Sequence, residues 1–291
     1  MQQIERNVYI EDSFLGVMLG GIVFPHGTIY IDAPLRAEDA RTWRLALANQ
    51  RAGPNRLLVN LDSHPDRTLG ARTLDCTILA HQKTAHAFRN RPTVFKGQAT
   101  ENGAVWESYS EIIGMRWASP DITFTQKMSL NWGGPEIILE HHPGVTPGAI
   151  WAIIPAIKLV FVGDAVVIDQ PPFLAQADLN NWLEGLELLT KQYKDFRIVS
   201  GRGGLTDDKA VRVQHRILKN MAKVIERLAK KHNAPEATEE LVPSLLSEYN
   251  IPAEKREKYT NRLRHGLNQY FTRRYRPSNY LEQPPIEDSE Q

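Results

Sequence analysis

Apolar residues in the opening part of the chain come in short runs cut by glycine, proline and charge, a rhythm that predicts strands. Runs over 7–10, 16–24 and 28–32 each fit a strand. Pro25-His26-Gly27 between the last two is turn chemistry, so the fold is expected to open as a meander. Residues 36–50 place Trp43, Leu45 and Leu47 among helix formers, and Pro54 closes that segment before an apolar strand over 56–60. A strand over 76–80 and a helix over 82–90 follow, then a polar and aromatic stretch over 96–120 without periodicity, read as an elaborated loop. Strands return over 122–128, 136–141, 149–154 and 159–162, with 155–158 turning between the last pair, and predict a second sheet. Asp178 caps a helix over 178–192 that repeats Trp182, Leu183, Leu186 and Leu189 at helical spacing, before a strand over 197–199. Thr206 and Asp207 can cap a helix to about residue 231, two shorter helices are expected after Pro235 and Pro252, and the tail over 277–291 reads as flexible. The pattern implies an α/β protein: two stacked sheets covered by helices over 1–206, with a helical region over 207–276 packing on or completing that core.

Composition narrows the class. The chain has 291 residues, 42% apolar and 24% charged, which excludes disordered and fibrous proteins and leaves room for a sizeable core. The longest apolar run, 14–24, has 11 residues with three glycines, short of the roughly 20 that span a bilayer, so no membrane partner is expected. The N-terminus lacks the zones of a signal peptide and the single cysteine, Cys76, cannot form an intramolecular disulfide, so a cytoplasmic location is expected. Cys76 itself reads as a buried, inert thiol in an apolar strand.

Net charge is only +1, yet residues 202–276 carry 17 Lys and Arg against 9 Asp and Glu. Val211, Ile217, Leu218, Met221, Ile225 and Leu228 interrupt the basic positions at helical spacing. These helices are therefore expected to pack on the sandwich or to mediate a homodimer, and nucleic acid is not the favoured partner.

Candidate chemistry gathers where strands end. Asp62-Ser63-His64-Pro65-Asp66-Arg67 follows the apolar strand over 56–60. His142-Pro143-Gly144-Val145-Thr146-Pro147-Gly148, Gly163-Asp164 and Ser200-Gly201-Arg202-Gly203 come later, each at a strand end or in the turn after it. Four such elements in this order resemble the metallo-β-lactamase fold superfamily over roughly residues 8–208, including the opening Ile29–Leu35 strand. The resemblance implies an αββα sandwich and a hydrolase-like cleft.

It also implies a ligand set for two metals, and here the chain departs from the pattern. His-x-His-x-Asp-His falls on Asp62, His64, Asp66 and Arg67, so two of its four positions match. The histidine of Gly-His-Thr-Pro-Gly falls on Val145, the metal-bridging aspartate on Asp164, and the last histidine on Arg202. By this correspondence one metal would use positions 62, 64 and 145 and the other 66, 67 and 202. A dinuclear centre works by holding hydroxide between two Lewis acids. Valine donates nothing, and a guanidinium has no lone pair and repels a cation.

Three readings follow. Asp62, Asp66 and Asp164 form an internal salt-bridge network with Arg67 and Arg202, which replace the metals by charge. Or one divalent metal (zinc, manganese or iron) is held by Asp62, His64, Asp66 and Asp164 and serves a single-metal hydrolase. Or Arg67 and Arg202 form a fork for a small anionic ligand, a carboxylate or phosphate, without any metal. The first and third overlap and imply a degenerate site, non-catalytic or anion-binding, with no cofactor. His81, His86, His141 and His142 are expected to be surface or capping residues, the alternative being that one of them is recruited as a replacement ligand. Trp106, Tyr109, Trp117 and Trp132 either face a substrate or cap a sheet.

Overall fold

The computed structural model describes residues 1–97, 102–231 and 234–276. The expected flexible tail over 277–291 lies outside the described residues. The first sheet runs in chain order through β1 (Gln2–Glu5), β2 (Val8–Glu11), β3 (Leu19–Phe24), β4 (Gly27–Ile31), β5 (Asn55–Val59), β6 (Thr77–His81) and β7 (Ile122–Phe124). It is antiparallel up to β4 and parallel from β4 to β7. The helices between its strands are α1 (Ala37–Ala48), α2 (Ala71–Leu74) and α3 (Gln82–Arg89). The second sheet contains β8 (Lys127–Leu130), β9 (Ile137–His141), β10 (Ile150–Ile154), β11 (Leu159–Val167), β12 (Arg197–Arg202) and β13 (Gly204–Thr206), with β11 and β12 parallel. Its helices are α4 (Leu179–Lys191), α5 (Asp208–Ala229), α6 (Val242–Leu246) and α7 (Arg256–Tyr275).

Both sheets are buried on both faces. Ile29, Ile31, Val59 and Leu61 of the first meet Leu139, Ala152, Ile154, Phe161 and Val199 of the second. Trp43 and Leu47 of α1 cover the outer face of the first sheet against Leu19, Tyr30 and Leu58. The outer face of the second, with Trp151, Val160 and Val162, packs on Trp182 and Leu186 of α4, Leu218 and Met221 of α5, and Leu263 and Phe271 of α7. The αββα layering follows directly from this, and the basic helices share one core with the second sheet. Asp178 and Asp207 accept backbone N–H groups at the first turns of α4 and α5 and fix where each helix leaves its sheet. No described helix is long and apolar enough to cross a membrane.

Several local expectations change. The single strand expected over 122–128 is two strands, one in each sheet, because Thr125 and Gln126 carry the chain across; Thr125 O meets His81 Nε2 at 2.7 Å and Gln126 O accepts from His141 N at 2.8 Å. Alternation reports the buried face of a residue and not which sheet it joins. The strand expected over 16–24 begins only at Leu19, β1 and β13 are additional, and Cys76 sits just before β6, half-buried, its thiol pushed up to about 12 by burial. After Pro252 the chain forms the 20-residue α7 and not a short helix; its buried stripe of Tyr259, Arg262, Gly266 and Tyr270 is not uniformly apolar. The 96–120 stretch holds two short 3-10 turns around Phe95, Trp106 and Ile112, a small core of its own with Leu35 and Leu69.

Because α7 completes the second sheet's core, Phe271→Ala is expected to cost about 3–5 kcal/mol of global stability, read from urea melts followed both by tryptophan fluorescence and by far-UV circular dichroism. Coincident, shifted transitions are predicted; an unshifted fluorescence transition would mean that the helices unfold separately from the sandwich.

Candidate functional site

The parallel strands β4 and β5 lie in register, Ile31 opposite Val59, so the turns after them deliver Asp32 and Asp62 to the same end of the sandwich. Asp62 Oδ1 accepts the backbone N–H of His64 at 2.7 Å, and Asp32 Oδ1 accepts that of Leu61 at 2.9 Å. Pro65 then starts a single 3-10 turn that carries Asp66 and Arg67 inward; both are fully buried. From the second sheet, β11 contributes Asp164 and the last residue of β12 is Arg202. Asp164 is inside a strand and not at its end as expected. Gly163 adopts φ +57° and breaks the pairing register with β12 there, and this turns the next side chain inward. Gly201 must be glycine for a different reason, since a Cβ would stand 2.4 Å from Asp164 Oδ1 and 2.5 Å from the Gly163 carbonyl carbon.

The structure brings Asp62, His64, Asp66, Arg67, Asp164 and Arg202 together, and adds a fourth carboxylate, Asp32. Arg67 uses all three nitrogens: Nη1 donates to Asp32 Oδ2 at 2.6 Å, Nε lies 3.0 Å from Asp62 Oδ1 and Nη2 lies 2.6 Å from Asp164 Oδ1. Arg202 Nε donates to Asp164 Oδ2 at 3.1 Å, while its Nη1 lies 2.9 Å from Asp66 Oδ2 and donates to Gly16 O at 3.3 Å. Asp164 therefore bridges two guanidinium groups, one oxygen to each.

Burial alone would drive the Arg67 guanidinium down, but Asp164, Asp32 and Asp62 outweigh it and hold it above its ordinary value. Burial opposes ionisation of Asp66 and Asp164 as well. There the charges of Arg202, and for Asp164 also of Arg67, prevail and keep both below the usual carboxylate range. Asp32 is the exception. Burial pushes it up to about 7 against the pull of Arg67, with Asp62 and Asp164 adding repulsion.

His64 Nδ1 accepts from Asp66 N at 3.3 Å, so the ring's proton belongs on Nε2, and burial brings its pKa down to about 4. Among the described residues no group of three or more His, Cys, Asp or Glu is disposed to hold a metal ion. At least one oxygen of each of Asp62, Asp66 and Asp164 faces a guanidinium nitrogen, one His64 nitrogen is taken by the backbone, and Val145 is buried in the core of the second sheet. In this arrangement the guanidinium groups of Arg67 and Arg202 occupy the space beside Asp62, Asp66 and Asp164 where a cation would otherwise sit.

Above the network lies a cavity of about 250 Å³. Phe95, Trp106, Trp117 and Phe173 wall it, and Asp62, His64 and Thr146 form part of its lining. Arg91, which the sequence did not single out, also lines it. Its Nη2 donates to Ser63 O at 2.8 Å and its guanidinium carbon stands 4.7 Å from the Trp117 ring centroid, while Nη1 has no partner. Trp117 Nε1 and Thr146 Oγ1 are likewise buried and unpartnered. Arg67 does not line the cavity, and Arg202 opens on another one. Of the aromatics noted in the sequence, Trp106 and Trp117 face the cavity, whereas Trp132 packs against Phe24 and His26. His81 stacks on His141 at 3.8 Å and His142 on Trp151 at 3.7 Å, away from this cavity.

Solved structures with the same layering include a metallo-β-lactamase from Pontibacter korlensis, with TM-score 0.59, 19% identity, and coverage of 75% of this chain and 98% of that one. The chain has the metallo-β-lactamase fold. A metallo-β-lactamase from Erythrobacter litoralis aligns with TM-score 0.55 at 14% identity, over 75% of this chain and 95% of that one. A sec-alkylsulfatase from Pseudomonas sp. aligns with TM-score 0.63 at 14% identity over 98% of this chain, which spans about half, 52%, of the alkylsulfatase. No family model and no curated protein matches the sequence. At these identities the likeness is one of fold.

Two predictions follow from the network. Arg202→Ala leaves Asp66 and half of Asp164 buried without a counter-charge and is expected to cost about 3–5 kcal/mol in denaturant melts, against under about 1 kcal/mol for an exposed pair. His64, with its folded pKa below the unfolded value of about 6.5, contributes stability that is present above 6.5 and lost as pH falls towards 4, amounting to about 3 kcal/mol. In His64→Gln the fall in stability between pH 6.5 and 4 should be shallower by that amount; an unchanged slope would show that the ring is solvated.

Proposed function

We propose that this chain is a binding protein built on a hydrolase fold, its dinuclear centre replaced by a closed network of aspartates and arginines, with a small organic acid as its ligand. The observation that carries the reading is Arg67, whose three nitrogens each meet a different buried carboxylate. A guanidinium supplies the positive charge that a metal would, but it cannot bind water as a Lewis acid or lower its pKa, so the network stabilises the fold without generating a nucleophile. The cavity above it supports the ligand class. Arg91 Nη1 and Trp117 Nε1 are two unsatisfied donors on residues in contact, and an acceptor-rich group between aromatic walls would satisfy both. An aromatic carboxylate matches those walls and the modest volume.

The test combines metal analysis and ligand binding. Protein loaded with zinc or manganese and then dialysed should retain far less than one equivalent per chain. Benzoate should quench tryptophan fluorescence saturably, and Arg91→Met should abolish that quenching. One retained equivalent per chain that disappears in His64→Ala, with metal-dependent ester or phosphodiester turnover, would replace this reading with a single-metal hydrolase.

A further inference from the structure

A second cavity lies on the other side of Arg202, between the 12–18 loop and the first half of α7, with a volume of about 440 Å³. Its charged lining is one-sided: Arg202, Lys255, Lys258 and Arg262 against Asp12. Lys258 and Arg262 share one face of α7 at helical spacing, and Lys255 stands just before the helix, which opens there without a side-chain cap.

The cations differ in how well they are compensated. Arg262 is 2% exposed, yet its guanidinium donates only to neutral oxygens, those of Gly103, Gln170 and Pro171, so among the described residues no carboxylate pairs with it directly, and Asp66 and Asp164 act on it only from a distance. The Lys258 ammonium has no hydrogen bond or ion pair among the described residues, and burial followed by the charge of Arg262 brings it below the ordinary value against the weaker pull of Asp66 and Glu107. The same two causes, burial and then the charge of Arg202, bring Arg262 down to about 10. Arg202 is paired through Nε and Nη1, but its Nη2 is buried and has no partner. Arg202, Lys258 and Arg262, from two distant parts of the chain, therefore face one space in which Asp66 and Asp164 offset only part of their charge, with the Lys258 ammonium and Arg202 Nη2 unused. Such a cluster is stabilised by an anion of more than one charge.

We propose that this cavity binds a phosphomonoester, its phosphoryl dianion held by Lys258 and Arg202 Nη2 in the field of Arg262. The organic part lies against Phe14, Tyr109 and Tyr259, which complete the lining. A dianion is favoured over a carboxylate because the cations lining this cavity outnumber its one lining acid, Asp12, whereas Arg91 and Lys96 share the aromatic cavity with Asp62 and Asp164. The two sites lie in separate cavities, so this inference stands whether or not the first holds an organic acid.

The experiment is calorimetry on the full chain with inorganic phosphate and with phenyl phosphate, at low salt in a zwitterionic buffer. Saturable one-site binding of both is expected, with phenyl phosphate tighter because of the aromatic wall. Lys258→Met should weaken both at least about ten-fold. In phosphate-free buffer the same variant should melt no lower than the parent chain, since it removes a repelling charge, while the rise in melting temperature on adding phosphate is lost. Arg91→Met should leave phosphate binding unchanged. Absence of saturable binding of either compound, undiminished binding in Lys258→Met, or loss of phosphate binding in Arg91→Met would each overturn the proposal.

Discussion

Four carboxylates, those of Asp32, Asp62, Asp66 and Asp164, are buried within reach of one another where the two sheets meet, and their mutual repulsion sets the condition the surrounding structure must satisfy. A low-dielectric interior magnifies that repulsion and removes the water that would relieve it. Arg67 and Arg202 are the answer, and much of the local backbone serves to place them. The 3-10 turn after Pro65 sinks Arg67 to full burial, the register break at Gly163 directs Asp164 between the two guanidinium groups, and Gly201 leaves room for its carboxylate. Gly16 O takes a further Arg202 proton, and Met18 N donates to Gly201 O, so the 12–18 loop is tied to the same point.

The arrangement uses the fold's geometry with different chemistry. The superfamily pattern puts a bridging aspartate between two metals; here Asp164 bridges two guanidinium groups. Guanidinium is planar and donates along fixed directions, so it can hold carboxylates in place as firmly as an ion does. It offers no open coordination position, however. Buried donors without hydrogen-bond partners border the two cavities beside this centre: Arg91 Nη1 and Trp117 Nε1 at one, and Arg202 Nη2, with Lys258 near it, at the other.

The layering was legible in the run of apolar segments, whereas the convergence of Asp62, His64, Asp66, Asp164 and Arg202 was legible only through the resemblance to the metallo-β-lactamase superfamily, whose fold turns these strand ends to one cleft. Asp32 sits in the same position at the end of β4, and the register of β4 with β5 places it beside the site; that strand-end signal could have found it. Arg91 and Arg262 were harder to see. Arg91 follows α3 in a segment without periodicity, and its role depends on the contact with Trp117, 26 positions away. Arg262 occupies a buried helical position where pattern leads one to expect an apolar residue. The break between β7 and β8 was invisible for the reason that alternation is blind to sheet membership.

The central claim is that Arg67 is energetically coupled to the carboxylates it joins, and a double-mutant cycle with Arg67→Met and Asp164→Asn measures that coupling in denaturant melts. Each single substitution leaves charge buried without its partner, whereas the double variant removes both partners of the 2.6 Å contact. The account predicts that the double variant loses less stability than the two singles together, by about 2 kcal/mol or more. Additive losses, with a coupling within about 0.5 kcal/mol of zero, would show that the guanidinium does not hold the carboxylates and would contradict the account.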